Sequence, residues 1–364
     1  MAINFDHSTD TISTTGGTLN LTGYSIPPEN NPDLETDVNN TTPNATQTVL
    51  ELSPVATTTD MDIAIVPNGA GAILANVPDN TSTGGEKRGA YAVDLQLRRT
   101  SSYHVASGAY SALVGGYRNF ASGSYSAVIG GLDNRANSSY SAAIGGYDIE
   151  VQAQYAFGAG SEDAIVNANY SSVIATDLAS TYGQYTAAIG GFRAYTGSDS
   201  KYGISTGYWS NLNVYCGINI GSSRNNKSVD GYGYSSTTIR NISARTTDAT
   251  ETKLLADNTD VAGANLTVPS NYVQTITGTV VCARAGANEV RAWEVKIVAR
   301  NTGGVSIVNT VIDDLGYDAG LSGVSIAIGT NGNYVEIKAT GLSGTNPNCY
   351  WNASLIVNQQ RFFG

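Results

Sequence analysis

The chain has 364 residues, room for two or three domains and a sizeable core. Charged residues make up 13%, against about 25% in ordinary soluble domains, while 41 glycines and 22 tyrosines stand beside 2 methionines and 2 histidines. The net charge of −11, from 19 basic and 30 acidic residues, argues against a nucleic-acid binder, whose affinity rests on clustered Lys and Arg.

A composition of Gly, Thr, Ser and Asn favours short strands and tight turns. No stretch of helix formers recurs on a 3.6-residue period, so the expected fold class is all-β. Cys216, Cys282 and Cys349 stand far apart without a CxxC pair. They read as buried small hydrophobes of a protein made in a reducing cytoplasm, since one bridge would leave one over. Met1 to Asp10 has neither the basic nor the apolar region of a signal peptide, and no apolar run is long enough to span a membrane. No membrane insertion is expected, and a secreted or surface-anchored bacterial protein is disfavoured.

Residues 1–45 are polar, with Pro27, Pro28, Pro32 and Pro43 among Asn and Thr, and read as a short strand followed by a linker or arm. Residues 46–104 form a small β region. Its apolar runs Thr48–Leu52, Met61–Val66 and Ala72–Val77 are separated by turn residues, and Gly84–Gly89 reads as the most polar loop.

Residues 105–243 carry the dominant signal, a repeat of period 15. Tyr110, Tyr125, Tyr140, Tyr155, Tyr170 and Tyr185 open successive copies such as Tyr-Ser-Ala-Val-Ile-Gly-Gly, with looser copies from Tyr202 and Tyr215. Tyr155 heads the poor copy, where Phe157 and Gly158 replace Ala and an aliphatic residue. A short fixed period marks a solenoid, and fifteen residues fit one coil of a parallel β-roll or β-helix with two short strands. Strand parity puts Tyr125, Ala127 and Ile129 on one apolar face, and Ser126, Val128 and Gly130 on a second uncharged one. On this reading Ala112, Ala127, Ala142 and Ala187 fill a narrow interior. The glycine pairs at 115–116, 130–131, 145–146 and 190–191 make the strand-end turns, and Asn119 and Asn134 take the following bend. A second uncharged face needs a partner, and a threefold axis closes such a rod naturally. The tyrosine column reads as a structural ladder rather than a sugar-stacking face.

Residues 244–364 switch to longer alternating strands. Trp293, Val295, Ile297 and Ala299 share one face; Val335, Ile337 and Ala339 another; Trp351, Ala353, Leu355 and Val357 a third. With strands expected at Tyr272–Ala283, Val305–Ile312 and Val324–Ile328, this is a β-sandwich with its own core.

Asp62 to Ala72, and Gly84-Gly85-Glu86-Lys87-Arg88-Gly89-Ala90-Tyr91-Ala92-Val93-Asp94-Leu95-Gln96, resemble segments of bacteriophage tail fibres and receptor-binding proteins. There too they lead into Ala-Ser-Gly-x-Tyr-Ser repeats, matched by Ala106-Ser107-Gly108 and Ala121-Ser122-Gly123. Thr246 to Thr250 and Ala292 to Val295 resemble a β-sandwich module of fibre ends. The repeats also resemble the heads of trimeric autotransporter adhesins, from which the chain departs in its 15-residue coil. The fibre resemblance implies a homotrimer in the virion tail, held by other tail or baseplate proteins through its N-terminal region. It implies attachment to a host-surface glycan or protein.

Catalysis is not expected. His7 and His104 are far apart in polar contexts and read as exposed surface histidines. The adjacent carboxylates Asp313–Asp314 and Glu162–Asp163 point to opposite faces of a strand or sit in solvated loops. No HExxH, GxSxG, Walker or metal-spaced Cys/His motif is present, so no cofactor and no metal site is expected. The reading is a non-enzymatic fibre, with receptor contact assigned to sandwich loops such as Asp313, Asp314 and Tyr317. A polysaccharide-depolymerising tailspike and a decoration fibre without a receptor are the alternatives.

Overall fold

A computed structural model of the chain describes residues 64–207, 210–212, 217–221, 235–256, 265–344 and 347–361, and the backbone of four earlier strands. Those four form two antiparallel pairs, Ile3–Asp6 with Thr11–Thr14 and Leu34–Asn39 with Val49–Pro54. They belong to a first unit, Met1–Val66; Pro67–Gly364 is a second. Residues 61–63 lie outside the described part, Ile65 and Val66 are exposed, and Ala72–Val77 contributes the strand Ile73–Leu74.

The second unit opens as a parallel β-solenoid. Its first row of strands runs from Ile73–Leu74 and Val93–Asp94 through Ala112–Val114, Ala127–Ile129, Ala142–Ile144, Phe157–Ala159, Ser172–Asp177, Ala187–Phe192 and Ile204–Thr206 to Gly217–Ile220, ten among the described residues. A second row runs from Phe120–Ala121 to Asn211–Leu212. In the regular coils partners stand fifteen positions apart, Ala112 with Ala127 and Ala127 with Ala142, as the repeat requires. Two strands per coil and an all-β fold are as the period implied.

The interior inverts the expected parity. Ser126 and Val128 are fully buried, whereas Tyr125 is 51% and Ile129 43% exposed. The coil is so narrow that Ser, Val and small residues from the facing row (Ala121, Ala136) fill it, and Tyr has no room inside. Alanines 112, 127, 142 and 187 therefore sit on the outer face, half-buried. The glycine pairs do have positive φ, but the left-handed bend that follows is made by Arg118 and Asp133. Asn119 and Asn134, one residue on, are buried and link coils. Asn134 N–H donates to Asn119 Oδ1 (2.9 Å), Ile149 N–H to Asn134 Oδ1 (3.0 Å), and Asn134 Nδ2 to Gly145 O (2.9 Å). The poor copy is a compensated one. Ile149 ends the asparagine ladder, and a Cβ on Gly158 would collide with its Cγ2.

The solenoid's first end is closed by a polar plug. Asp94 occupies an interior position, in register with Leu113, and is fully buried. Arg88 Nε donates to its Oδ2 (2.6 Å) and Gln96 N–H to its Oδ1 (3.1 Å), with Arg99 at 3.8 Å. Gly84, Gly85 and Arg88 are buried, so the segment read as the most polar loop is the packed end of the shaft.

Gly217–Ile220 pairs antiparallel with Ser235–Thr246 and so joins the shaft to a five-stranded antiparallel sheet. Its order is Ser235–Thr246, Cys349–Arg361, Tyr272–Arg284, Val290–Asn301 and Val305–Tyr317. A smaller sheet places Tyr334–Thr340 between Ser325–Asn331 on one side and Glu251–Lys253 and Leu266–Thr267 on the other. The expected alternating faces all point into the core between them. Trp293 and Trp351 stack there (5.7 Å), and Trp351 Nε1 donates to Thr246 Oγ1 (3.0 Å). Cys282 and Cys349 are buried beside each other as free thiols, and burial pushes the Cys282 thiol up. Cys216 lies outside the described residues.

Candidate binding surfaces of the shaft and tip

The tyrosines stand in one column. Tyr91, Tyr110, Tyr125, Tyr140, Tyr155, Tyr170, Tyr185 and Tyr202 stack ring on ring at 4.8–5.1 Å. Each has φ between 55° and 59°, the left-handed region. That conformation costs about 1–2 kcal/mol per residue, offset by stacking of about 0.5–1.5 kcal/mol and by inter-coil hydrogen bonds such as Tyr125 N–H to Ala109 O (2.9 Å). A stacked ring presents its edge and hydroxyl outward, not its face. The column forms the continuous stack that its fixed parity indicated. Tyr91 belongs to it although nineteen residues precede Tyr110. The signal was the shared Ala-Tyr pair at 90–91 and 109–110, obscured by the longer coil between them.

The bend on another side of the coil carries charge. Arg118, Asp133, Asp148 and Asp163 occupy the same left-handed position on successive coils, and Arg118 pairs with Asp133. Burial holds the Asp148 carboxyl above the ordinary range, and the charges of Asp163, Asp133 and Glu150 push the same way against Arg135. Glu162 and Asp163 are both exposed, because the left-handed Asp163 breaks strand alternation. Spacing could have revealed this column, since Asp133, Asp148 and Asp163 share the 15-residue period.

Asp313, Asp314 and Tyr317 lie within an edge strand, Val305–Tyr317, rather than in a loop. Asp314 is engaged: Arg291 Nη2 donates to its Oδ2 (2.6 Å) and Gly316 N–H to its Oδ1 (3.0 Å), which holds its carboxyl below the usual range. The Arg291 guanidinium lies over the rings of Tyr317 (4.4 Å) and Trp293 (4.9 Å) and ties the carbonyls of Leu321, Ser322 and Val324 to the strand. Asp313 and Tyr317 remain exposed.

Where the shaft meets the five-stranded sheet, a cavity of about 280 Å³ is lined by Gly221, Thr237, Val273, Thr275, Asn358, Gln359 and Gln360. Its hydroxyls and amides can give and accept hydrogen bonds without charge. His104 is not a surface histidine. It is buried against Tyr103 (4.5 Å) in the polar plug, and burial lowers its pKa. His7 lies outside the described residues. Among the described residues, no group of three or more His, Cys, Asp or Glu is placed to hold a metal ion, and no helix is long and apolar enough to cross a membrane.

No protein-family model and no curated protein matches the sequence. Solved structures similar to the chain include phage tailspikes. One is a tailspike of Acinetobacter baumannii bacteriophage Fri1, a capsular polysaccharide depolymerase, at 11% identity and a TM-score of 0.22 over 80% of this chain and 56% of that one. The tailspike of Acinetobacter baumannii phage AM24 is similar at 8% identity and a TM-score of 0.19, covering 76% of this chain and 54% of that one. The tailspike of Acinetobacter phage vB_ApiP_P1 is similar at 10% identity and a TM-score of 0.20, covering 84% and 61%. The chain thus spans little more than half the length of these proteins. The expectation of a non-enzymatic chain is corrected at this point and withdrawn, because the similar structures include a polysaccharide depolymerase.

Proposed function

We propose that the chain is a bacteriophage tail fibre or tailspike protein that, as a homotrimer in the virion tail, attaches to a host-surface glycan. The observation that carries this reading is the rod itself. An uncharged face of tyrosine, alanine and aliphatic side chains stays exposed over the whole solenoid, as in a shaft that assembles with copies of itself. The fibre-like sequence from Gly84 to Gln96 forms the packed start of that shaft. Residues 1–45 are the part assigned to other tail or baseplate proteins. The glycan contacts assigned are the uncharged cavity at the shaft–sandwich junction and the exposed Asp313 and Tyr317. Three such sites on one rod multiply weak contacts into avidity.

A second reading, cleavage of that glycan, is favoured by Asp148. A carboxyl held above its usual range beside other carboxylates is the arrangement of a general acid in glycoside hydrolysis. Both readings are tested by adding the purified protein to host cells and to their isolated surface polysaccharide. Cell binding and blocked infection support attachment. Release of new reducing ends, lost in Asp148→Asn, supports cleavage. Failure of both binding and blocking sinks the attachment reading and leaves a decoration fibre without a receptor.

A further inference from the structure

The uncovered face of the solenoid has a definite relief of three parallel columns. The tyrosine stack stands along one side. A middle column follows, of Ala112, Ala127, Ala142 and Ala187 with Phe157 and Ser172 among them and Ile204 after them, and a mainly aliphatic column of Val114, Ile129, Ile144, Ala159, Ile174 and Ile189 stands along the other side. Residues 110–116, 125–131, 140–146, 155–160, 170–175 and 185–191 contain no charged side chain.

Three features identify what fills it. The first is period: the rungs repeat every 4.8 Å or so, and an occupant matching them rung by rung must carry the same repeat. This face on another copy of the chain carries it. The second is shape. The two ridges are unlike, aromatic and aliphatic, so the ridge of one copy meets the unlike ridge of the next in a heterologous contact, which forms a ring when the rotation between copies closes. The third is continuity. Ile204, Ile218, Ile239 and Ile356, all exposed, stand in unbroken register from the last coils into the five-stranded sheet. Only copies running in the same direction keep this stripe covered at both ends.

We propose that the face is filled by two further copies of this chain, packed in parallel, with each tyrosine column against the next copy's aliphatic column. The middle column then lines the common axis, where alanine lets three backbones approach at four coils and Phe157 and Ile204 fill the axis at theirs. This rests on the homotrimer of the proposed function and adds to it the seam and the pairing of unlike ridges.

The test is the double variant Tyr140→Cys with Ile144→Cys in the full chain. Both positions are exposed, so the interior of the coil is untouched. Light scattering is expected to give about three times the 37.8 kDa chain mass. A non-reducing SDS gel is expected to show linked dimers and trimers, at yields several-fold above either single variant. Ala142→Glu, on the axis column, should dissociate the assembly while its far-ultraviolet circular dichroism stays β-like. Trimer mass without linked chains, or an unchanged mass in Ala142→Glu, overturns the seam and leaves the homotrimer standing. A wild-type monomer overturns both.

Discussion

At the residue scale, the paired glycines are not equivalent. Gly130 and Gly131 both have positive φ, but a Cβ on Gly130 meets open space while one on Gly131 meets Asn134 Nδ2 and Gly146 O. Gly130→Ala should cost about 1–2 kcal/mol in chemical unfolding from backbone strain alone, and Gly131→Ala clearly more. Asn134 is the next sensitive position. Asn134→Ala would leave the buried N–H of Ile149 without an acceptor, a loss of about 1–3 kcal/mol. His104 gives the shaft's first end a pH response. Its folded pKa is depressed by burial, so below the unfolded value of about 6.5 the unfolded chain binds the extra proton first. Stability should be complete above that value and decline as pH falls toward the folded pKa. Unfolding midpoints followed from pH 7.5 to 5 should show a decline that His104→Gln flattens. Parallel slopes in the two proteins would remove His104 as the cause.

At the scale of elements, the coil was legible because its period is carried by whole residues: Tyr110 to Tyr185 never slip, and fifteen residues set the strand register. What was not legible was which parity faces in. Both faces of Tyr-Ser-Ala-Val-Ile are uncharged, so hydropathy gives no inside, and the decision falls to the width of the coil and the left-handed tyrosine. The sandwich strands had no such ambiguity, since Trp293, Val295 and Ile297 alternate with Glu294 and Lys296, and all three are buried. The candidate sites were less legible. The Asp313–Tyr317 segment looked like a loop because its Asp-Asp and Gly hide an edge strand, and the junction cavity draws its lining from distant strands. Solenoid coils contact mainly their neighbours, so their stabilities are close to additive. Excising residues 126–140 should therefore give a folded chain, with Tyr125 followed by Ser141 in the same register and the rod shorter by about 4.8 Å in small-angle scattering. An unfolded product would show that this coil is not interchangeable. The sandwich behaves as one core, and Trp351→Ala should cost about 3–5 kcal/mol.

At the scale of the whole molecule, the tyrosine rings report how regular the shaft is. From Tyr110 to Tyr185 successive rings are inclined by 0° to 6°, and larger angles of 16° and 13° appear only at the ends, where coils depart from fifteen residues. The ring normals thus keep one direction through the regular coils, and each ring meets the next across nearly the same gap. A fifteen-residue coil added or removed within that stretch leaves every remaining ring with a neighbour to stack on, so the length of the rod can change while its aromatic spine stays continuous.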